Sequence, residues 1–229
     1  WQRTTEREAL VGVSMTGVGS GKVQDLDLEE AARIAVEENK KVAKLIGIRS
    51  AARVTTIKPA GTSSIVLGCS SGIHAWHNEY YIRVGKNEDI YHYLAINHPE
   101  LVEDEYFRPH DTAVISVPQK APEGATLRTE PALQLLNRVK TFSERWINPG
   151  HNTGNNTHNI SATVSIKEHE WGDVGEWMWK NREHYNGLSV LPYSGGTYVQ
   201  APFEECDEVT YHRMVESLEE IDLTKIVEV

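Results

Sequence analysis

Cysteine is scarce in this sequence: Cys69 and Cys206 are the two present among 229 residues. Two thiols so far apart make neither a disulfide framework nor the clustered ligands of a zinc site, and they suit a reducing compartment. Long hydrophobic runs are missing too, so no membrane-spanning helix is expected. No signal peptide and no initiator Met are visible, and Trp1 leads directly into a charged stretch. That start suggests a fragment or a processed chain, with the cytoplasm as the expected location. Positive charge is in deficit, 23 Lys and Arg against 33 Asp and Glu for a net charge of −10. Duplex nucleic acid would need the opposite balance, so a nucleic acid polymer is not an expected partner. A single nucleotide remains compatible, because a helix terminus supplies local positive potential without net charge.

What is present is enough apolar residue, 39% of the chain, for one α/β domain or a large part of a bigger one. The expectation is a single α/β segment over residues 1–229, without linker, internal repeat or low-complexity tract. Residues 10–17 read as a short buried strand entering a Gly-rich turn, 17–21, that lacks phosphate-loop spacing. Asp27 and Glu30 form a capping box ahead of a helix with Leu28, Ala31, Ala32, Ala35, Val42, Leu45 and Ile46 on its apolar face, closed by Gly47. A further helix, about residues 88–97, stops before Pro99. Residues 112–117 are a strong strand that Pro118 should end. Thr129 is the expected cap of a helix carrying Leu135, Leu136, Val139, Phe142 and Trp146. Residues 150–158 form an Asn-rich loop in which His151 and His158 lack the carboxylate or thiol company of a metal site.

The rest of the chain continues in the same alternation. Residues 160–166 read as a strand, and Trp171, Val174 and Met178 mark a helix whose aromatic stripe reads as core and which Gly187 ends. Residues 188–191 are a strand, and Asp207 caps a last helix with Val209, Met214, Leu218 and Ile221 turned inward. Strands alternating with helices imply an α/β barrel or an open doubly wound sheet. In both, ligands bind at the carboxyl ends of the strands.

The chain is organised around residues 53–73. Val54, Thr55, Thr56 and Ile57 are a β-branched run, Pro59 cannot donate to a ladder, and Gly61 lets the backbone turn or approach a ligand. Thr62, Ser63 and Ser64 suit an N-cap, and Ile65-Val66-Leu67 begins a buried helical turn. Strand, hydroxyl-rich turn and helix start bring free N–H groups, a helix dipole and hydroxyls to one place where an anion can sit. The residues alone leave two readings open, a phosphate-binding turn and an ordinary capped connection.

Thr56-Ile57-Lys58-Pro59-Ala60-Gly61-Thr62-Ser63-Ser64, then Gly68-Cys69-Ser70-Ser71-Gly72-Ile73-His74, then Tyr80-Tyr81-Ile82-Arg83, resembles the substrate-phosphate segment of ribonucleotide reductases. The likeness is greatest to the monomeric, adenosylcobalamin-dependent (class II) ribonucleoside-triphosphate reductases. Residues 189–196, Ser-Val-Leu-Pro-Tyr-Ser-Gly-Gly, and 200–204, Gln-Ala-Pro-Phe-Glu, resemble the late barrel strand of the same family. The resemblance runs from about Val11 to about Tyr211.

It implies that the chain is the C-terminal half of a ten-stranded α/β barrel. The enzyme so implied converts ribonucleoside triphosphates to 2'-deoxyribonucleotides by a thiyl-radical mechanism, with adenosylcobalamin as cofactor. It implies substrate contacts at Pro59, Ala60, Gly61, Thr62, Ser63 and Ser64, with Pro192, Tyr193 and Ser194 near the ribose or the cofactor. Ser71, Gly72, Ile73 and His74 follow as a pocket wall. The implied partners are the ribonucleotide substrate, the missing N-terminal half of the barrel on the same or a separate polypeptide, and a thiol reductant such as thioredoxin.

The family's radical cysteine, with its flanking Asn and Glu, and its reducing cysteine pair have no counterpart here. No catalytic residue and no metal ligand is therefore expected among these residues, and the chain alone should be inactive. The alternatives are a catalytically inactive phosphate-binding α/β module and a barrel-completing subunit of a split enzyme.

Overall fold

The computed structural model describes residues 1–61, 63–64, 67–86, 91–110, 112–194, 199–201 and 203–218. They form a mixed α/β structure whose strands are β1 Val13–Ser14, β2 Thr55–Thr56, β3 Tyr80–Lys86, β4 Val102–Asp104, β5 Ala113–Lys120, β6 Thr163–Ile166, β7 Ser189–Pro192 and β8 Phe203–Glu205. The chain divides into two compact units, residues 1–76 with 124–193 and residues 77–123 with 194–229.

The first unit is parallel. β1 pairs with β2, Ile57 bridges Ile160, and β6 pairs with β7, all in the parallel sense. The lateral order is therefore β1, β2, β6, β7. Along the run into β6, Ala162, Val164 and Ile166 are buried while Ser161, Thr163 and Ser165 alternate with them on the other face. The buried face packs against Leu136, Val139 and Phe142 of the helix Ala132–Phe142 and against Leu28 and Ala32 of the helix Leu28–Ile46. Leu28, Leu136, Val139 and Phe142 each contribute roughly 1.5–3 kcal/mol by leaving water. A sheet covered by helices on both faces reads as a continuous apolar run. The hydroxyl face of this one is that of a sheet with helices on one side.

Local rules explain most of the boundaries. Asp27 accepts the backbone N–H of Glu30, and Gly47 ends the helix in the left-handed conformation. Its buried residues are Leu28, Ala32, Val36 and Ala43, whereas Val42, Leu45 and Ile46 of the expected face are exposed. Thr129 does not cap the next helix. The N-cap position is Pro131, without a side-chain bond, and Glu170 reaches over from elsewhere to accept the N–H of Ala132 at 3.0 Å. Leu135, Leu136, Val139, Phe142 and Trp146 are buried as the pattern demands, and the last turn widens into a π-helix over Ser143–Ile147. The helix Trp171–Lys180 buries Val174, but Trp179 stays 73% exposed and Trp171 40%, so its aromatic residues are not all core. It ends at Lys180, well before Gly187.

The second unit holds a four-stranded antiparallel sheet in the order β4, β5, β3, β8, so the sequence's strand–helix alternation does not extend here as a parallel series. β-Propensity carries no information about strand direction. Pro118 lies inside β5 rather than ending it. The N–H of Ala121 donates to Glu79, so bonded pairs fall at alternate positions and Pro118 opposite Ile82 is a non-bonded pair. Its missing N–H faces the side of β5 where β4 has already ended, at Val102 opposite Ile115. Asp207 caps the helix Glu208–Ser217 by accepting from Thr210. That helix has no buried residue, and Val209, expected inward, is 76% exposed. Ile221 lies outside the described residues.

Candidate phosphate-binding turn and its surroundings

β2 carries the chain to Ile57, and the turn that follows begins at Lys58. The Lys58 N–H donates to Ser14 Oγ of β1, and its ammonium donates to Ser161 Oγ at 2.8 Å. Pro59 and Ser63 are exposed, Ala60 is half-buried, and Gly61 has a φ of +54° with open space where a side chain would stand. Several donors of the turn are already used within it. Ala60 N–H donates to Ser71 Oγ, Ser63 N–H to Ala60 O and Ser64 N–H to Gly61 O. Ser64 is buried, and its hydroxyl donates to Gly61 O at 2.7 Å. Thr62 lies outside the described residues.

Beneath the turn runs residues 70–74. Here His74 is held at both ring nitrogens. Nε2 faces the Thr163 N–H at 3.0 Å and Nδ1 faces Ser71 O at 3.1 Å. An amide N–H can only donate and a carbonyl can only accept, so the ring is neutral with its proton on Nδ1. Burial, partly offset by the bond to Ser71 and reinforced by the Arg138 guanidinium, holds its pKa below the usual histidine value. His74 also walls a cleft of about 360 Å³ that Asn159, Ser161, Thr163, Gly187 and Ser189 line. Arg138 itself is buried in a bidentate pair with Glu130.

Pro192 is the last residue of β7, opposite Ile166. Tyr193 follows, with its N–H donating to Ile166 O. Its ring lies under the guanidinium of Arg128 at 5.1 Å and the ammonium of Lys167 at 5.7 Å. Neither cation was legible as a site residue, since each sits in a loop far from Tyr193 in sequence. Both predicted clusters lie at carboxyl ends of parallel strands, but they are staggered. Ile57 is level with Ile160 and Pro192 with Ile166, roughly 20 Å further along the strand direction. Ser194 belongs to the second unit.

The remaining polar candidates are occupied structurally. His151 bonds the carbonyl of Gly154 and His158 that of Thr55. Among the described residues no cluster of His, Cys, Asp or Glu could hold a metal, and no helix is long and apolar enough to cross a membrane. Cys69 and Cys206 are free and half-buried, and burial together with Asp207 pushes the Cys206 thiol up.

No family model matches the chain. It is homologous to enzymes named for one activity. A protein of Dictyostelium discoideum named "Probable adenosylcobalamin-dependent ribonucleoside-triphosphate reductase" is 25% identical, over 96% of this chain and 29% of the relative. The adenosylcobalamin-dependent ribonucleoside-triphosphate reductase of Levilactobacillus brevis is 26% identical, over 77% of this chain and 23% of its own length. A crystal structure of a B12-dependent (class II) ribonucleotide reductase superposes with a TM-score of 0.74 at 18% identity, covering 94% of this chain and 34% of that one. The chain thus spans less than a third of the length of these two curated relatives, and its fold is that of the matching part of the class II structure.

Proposed function

We propose that this chain is the substrate-phosphate-binding part of an adenosylcobalamin-dependent ribonucleoside-triphosphate reductase, forming as one segment, residues 1–229, the C-terminal half of a ten-stranded barrel. The observation that carries this reading is the similarity, over 96% of the chain, to a protein of that name. The parallel series with helices on one face and hydroxyls on the other suits a barrel wall.

The triphosphate of a ribonucleotide lies against residues 59–64. Gly61 leaves the backbone open to close approach, and Thr62 and Ser63 offer hydroxyls. Ser64, whose hydroxyl already donates to Gly61, shapes the turn from inside. Lys58, whose ammonium bonds Ser161 Oγ, adds positive potential beside the turn in a chain of net charge −10. Pro192 and Tyr193, roughly 20 Å further along the strand direction, take the far, nucleoside end of the ligand.

The cleft beside His74, about 360 Å³, is too small for a corrin, and no residue described here is assigned to adenosylcobalamin. Neither Cys69 nor Cys206 is placed to act as a radical or reducing thiol, so those groups, and the site of a thiol reductant such as thioredoxin, belong to the rest of the enzyme. The cytoplasm is the setting in which such a reductant works.

The test is nucleotide affinity in the assembled enzyme. Thr62→Ala should weaken ATP binding by roughly 1.5–3 kcal/mol, about tenfold or somewhat more, by removing a charge-assisted hydrogen bond. Gly61→Val should block the approach as well, but at a φ of +54° a β-branched residue also strains the turn, so the melting temperature should hold in Thr62→Ala and fall in Gly61→Val. Unchanged affinity with reduced stability would leave only a capped turn.

A further inference from the structure

Besides its internal bonds at Ser63 and Ser64, the phosphate turn is braced through its backbone from residues 70–74. Ser71 Oγ accepts the Ala60 N–H at 3.0 Å. Gly72 presses on the turn so closely, at a φ of +57°, that an added Cβ would stand 2.8 Å from Lys58 O and 3.3 Å from Pro59 Cα. Such contact leaves no room for a side chain, and the left-handed backbone disfavours one in any case. Thr16 ties the same segment to the stretch after β1, donating to Ser70 O and accepting from Gly72 N–H. His74 ties it to β6, because the ring spans from Ser71 O to the Thr163 N–H.

A continuous chain of bonds therefore runs from the backbone of β6 through the His74 imidazole and Ser71 to the Ala60 N–H. Each link is a donor–acceptor pair, part-buried at Ala60–Ser71 and Ser71–His74 and exposed at His74–Thr163. We propose that Ser71 and His74 are positioning residues that set the spacing between the phosphate turn and β6, so that Gly61 and its neighbours meet the phosphates in register. This rests on the phosphate reading above. Neither residue touches the ligand; both act through the backbone of Ala60.

The experiment uses the assembled enzyme and three probes, ATP, inorganic tripolyphosphate and adenosine. Ser71→Ala and His74→Leu should each weaken ATP and tripolyphosphate binding by up to roughly tenfold, the size expected from one hydrogen bond. Adenosine binding should not move. Ser71→Thr, which keeps the hydroxyl, and His74→Gln, whose amide oxygen can accept from Thr163, should recover most of the loss. In turnover the loss should appear in KM more than in kcat.

If the Leu variant fails to fold, the Ser71 pair and His74→Gln decide the matter on their own. Equal loss for all three probes would mean general destabilisation and overturn the positioning role. Unchanged tripolyphosphate binding in Ser71→Ala and His74→Leu, with Thr62→Ala still weakened, would overturn it while leaving the phosphate reading intact. Unchanged binding in Thr62→Ala as well would remove that reading and this proposal together.

Discussion

Thr55 and Trp146 are joined across the core: the Thr55 hydroxyl donates to the Trp146 carbonyl at 2.6 Å, while the Trp146 indole N–H donates to the neighbouring Thr56 carbonyl at 3.0 Å. Thr55 is 1% exposed and Trp146 3%. The Trp146 carbonyl, left without a helical donor because the helix ends at Ile147, thus finds its partner on a strand. Thr55→Val keeps the shape and deletes the donor, which should cost about 1–3 kcal/mol for the stranded carbonyl. Urea midpoints of wild type and variant check this, and an unchanged midpoint would contradict it.

Glu130 and Arg138 form a pair whose side chains are only 8% and 5% exposed. Removing one member leaves the other charge buried alone. Arg138→Met should therefore destabilise by about 3–5 kcal/mol, and the double change Arg138→Met with Glu130→Leu should recover much of it. Denaturation of the two variants side by side tests the sign of the recovery.

Acid should weaken the fold before its carboxylates titrate. Burial chiefly holds His74 and His158 below the ordinary histidine value of 6.5, against their bonds to Ser71 and Thr55 and with help from nearby Arg138, Arg53, Lys58 and His151. The unfolded chain then binds protons that the folded one refuses. Stability is complete above 6.5 and is lost as pH falls from there through the lower folded values. Glu170 enters later. Burial works to raise it, but the N–H groups of Lys167 and Ala132 outweigh this and hold it below its ordinary 4.5, so its contribution is lost only under stronger acid. Melting temperature should fall between about pH 7.5 and about 5.5, and His74→Gln, which cannot titrate there, should flatten part of the slope.

On its own the chain should self-associate. Val42, Leu45, Ile46 and Ile48 stand 43%, 84%, 61% and 58% exposed around the end of one helix. An apolar patch of that kind seeks cover. Light scattering should show mass rising with concentration, and Leu45→Gln with Ile46→Lys should suppress it. A concentration-independent monomer would contradict the expectation.

The core of the first unit was readable because its periodicity is strict: Leu135, Leu136, Val139 and Phe142 fall on one helical face and lie buried together. The caps at Asp27 and Asp207 were readable because capping is local. Glu170 capping the helix at Ala132 was not, since a remote carboxylate leaves no mark near Thr129. Nor was the exposure of Val42, Leu45 and Ile46, since a sequence shows that a face is apolar and not whether anything within reach covers it. At the candidate turn, the strand, the break at Pro59 and the turn at Gly61 were legible. The brace from Ser71, Gly72 and His74 depends on tertiary geometry that spacing does not encode, and so does the stacking of Arg128 and Lys167 on Tyr193.

The joint between β2 and the run into β6 has a consequence for how this sheet could be altered. A single backbone bridge, Ile57 to Ile160, crosses it. The rest of the lacing is done by side chains: Thr56 Oγ1 on Asn159 O, Lys58 Nζ on Ser161 Oγ and His158 on Thr55 O. Backbone ladders are common to every sequence, whereas these stitches can be cut or lengthened one substitution at a time. The seam is thus where selection, natural or in the laboratory, can widen or narrow the wall without refolding it, and amide exchange should find Ser161 more labile than the amides within the β6–β7 ladder.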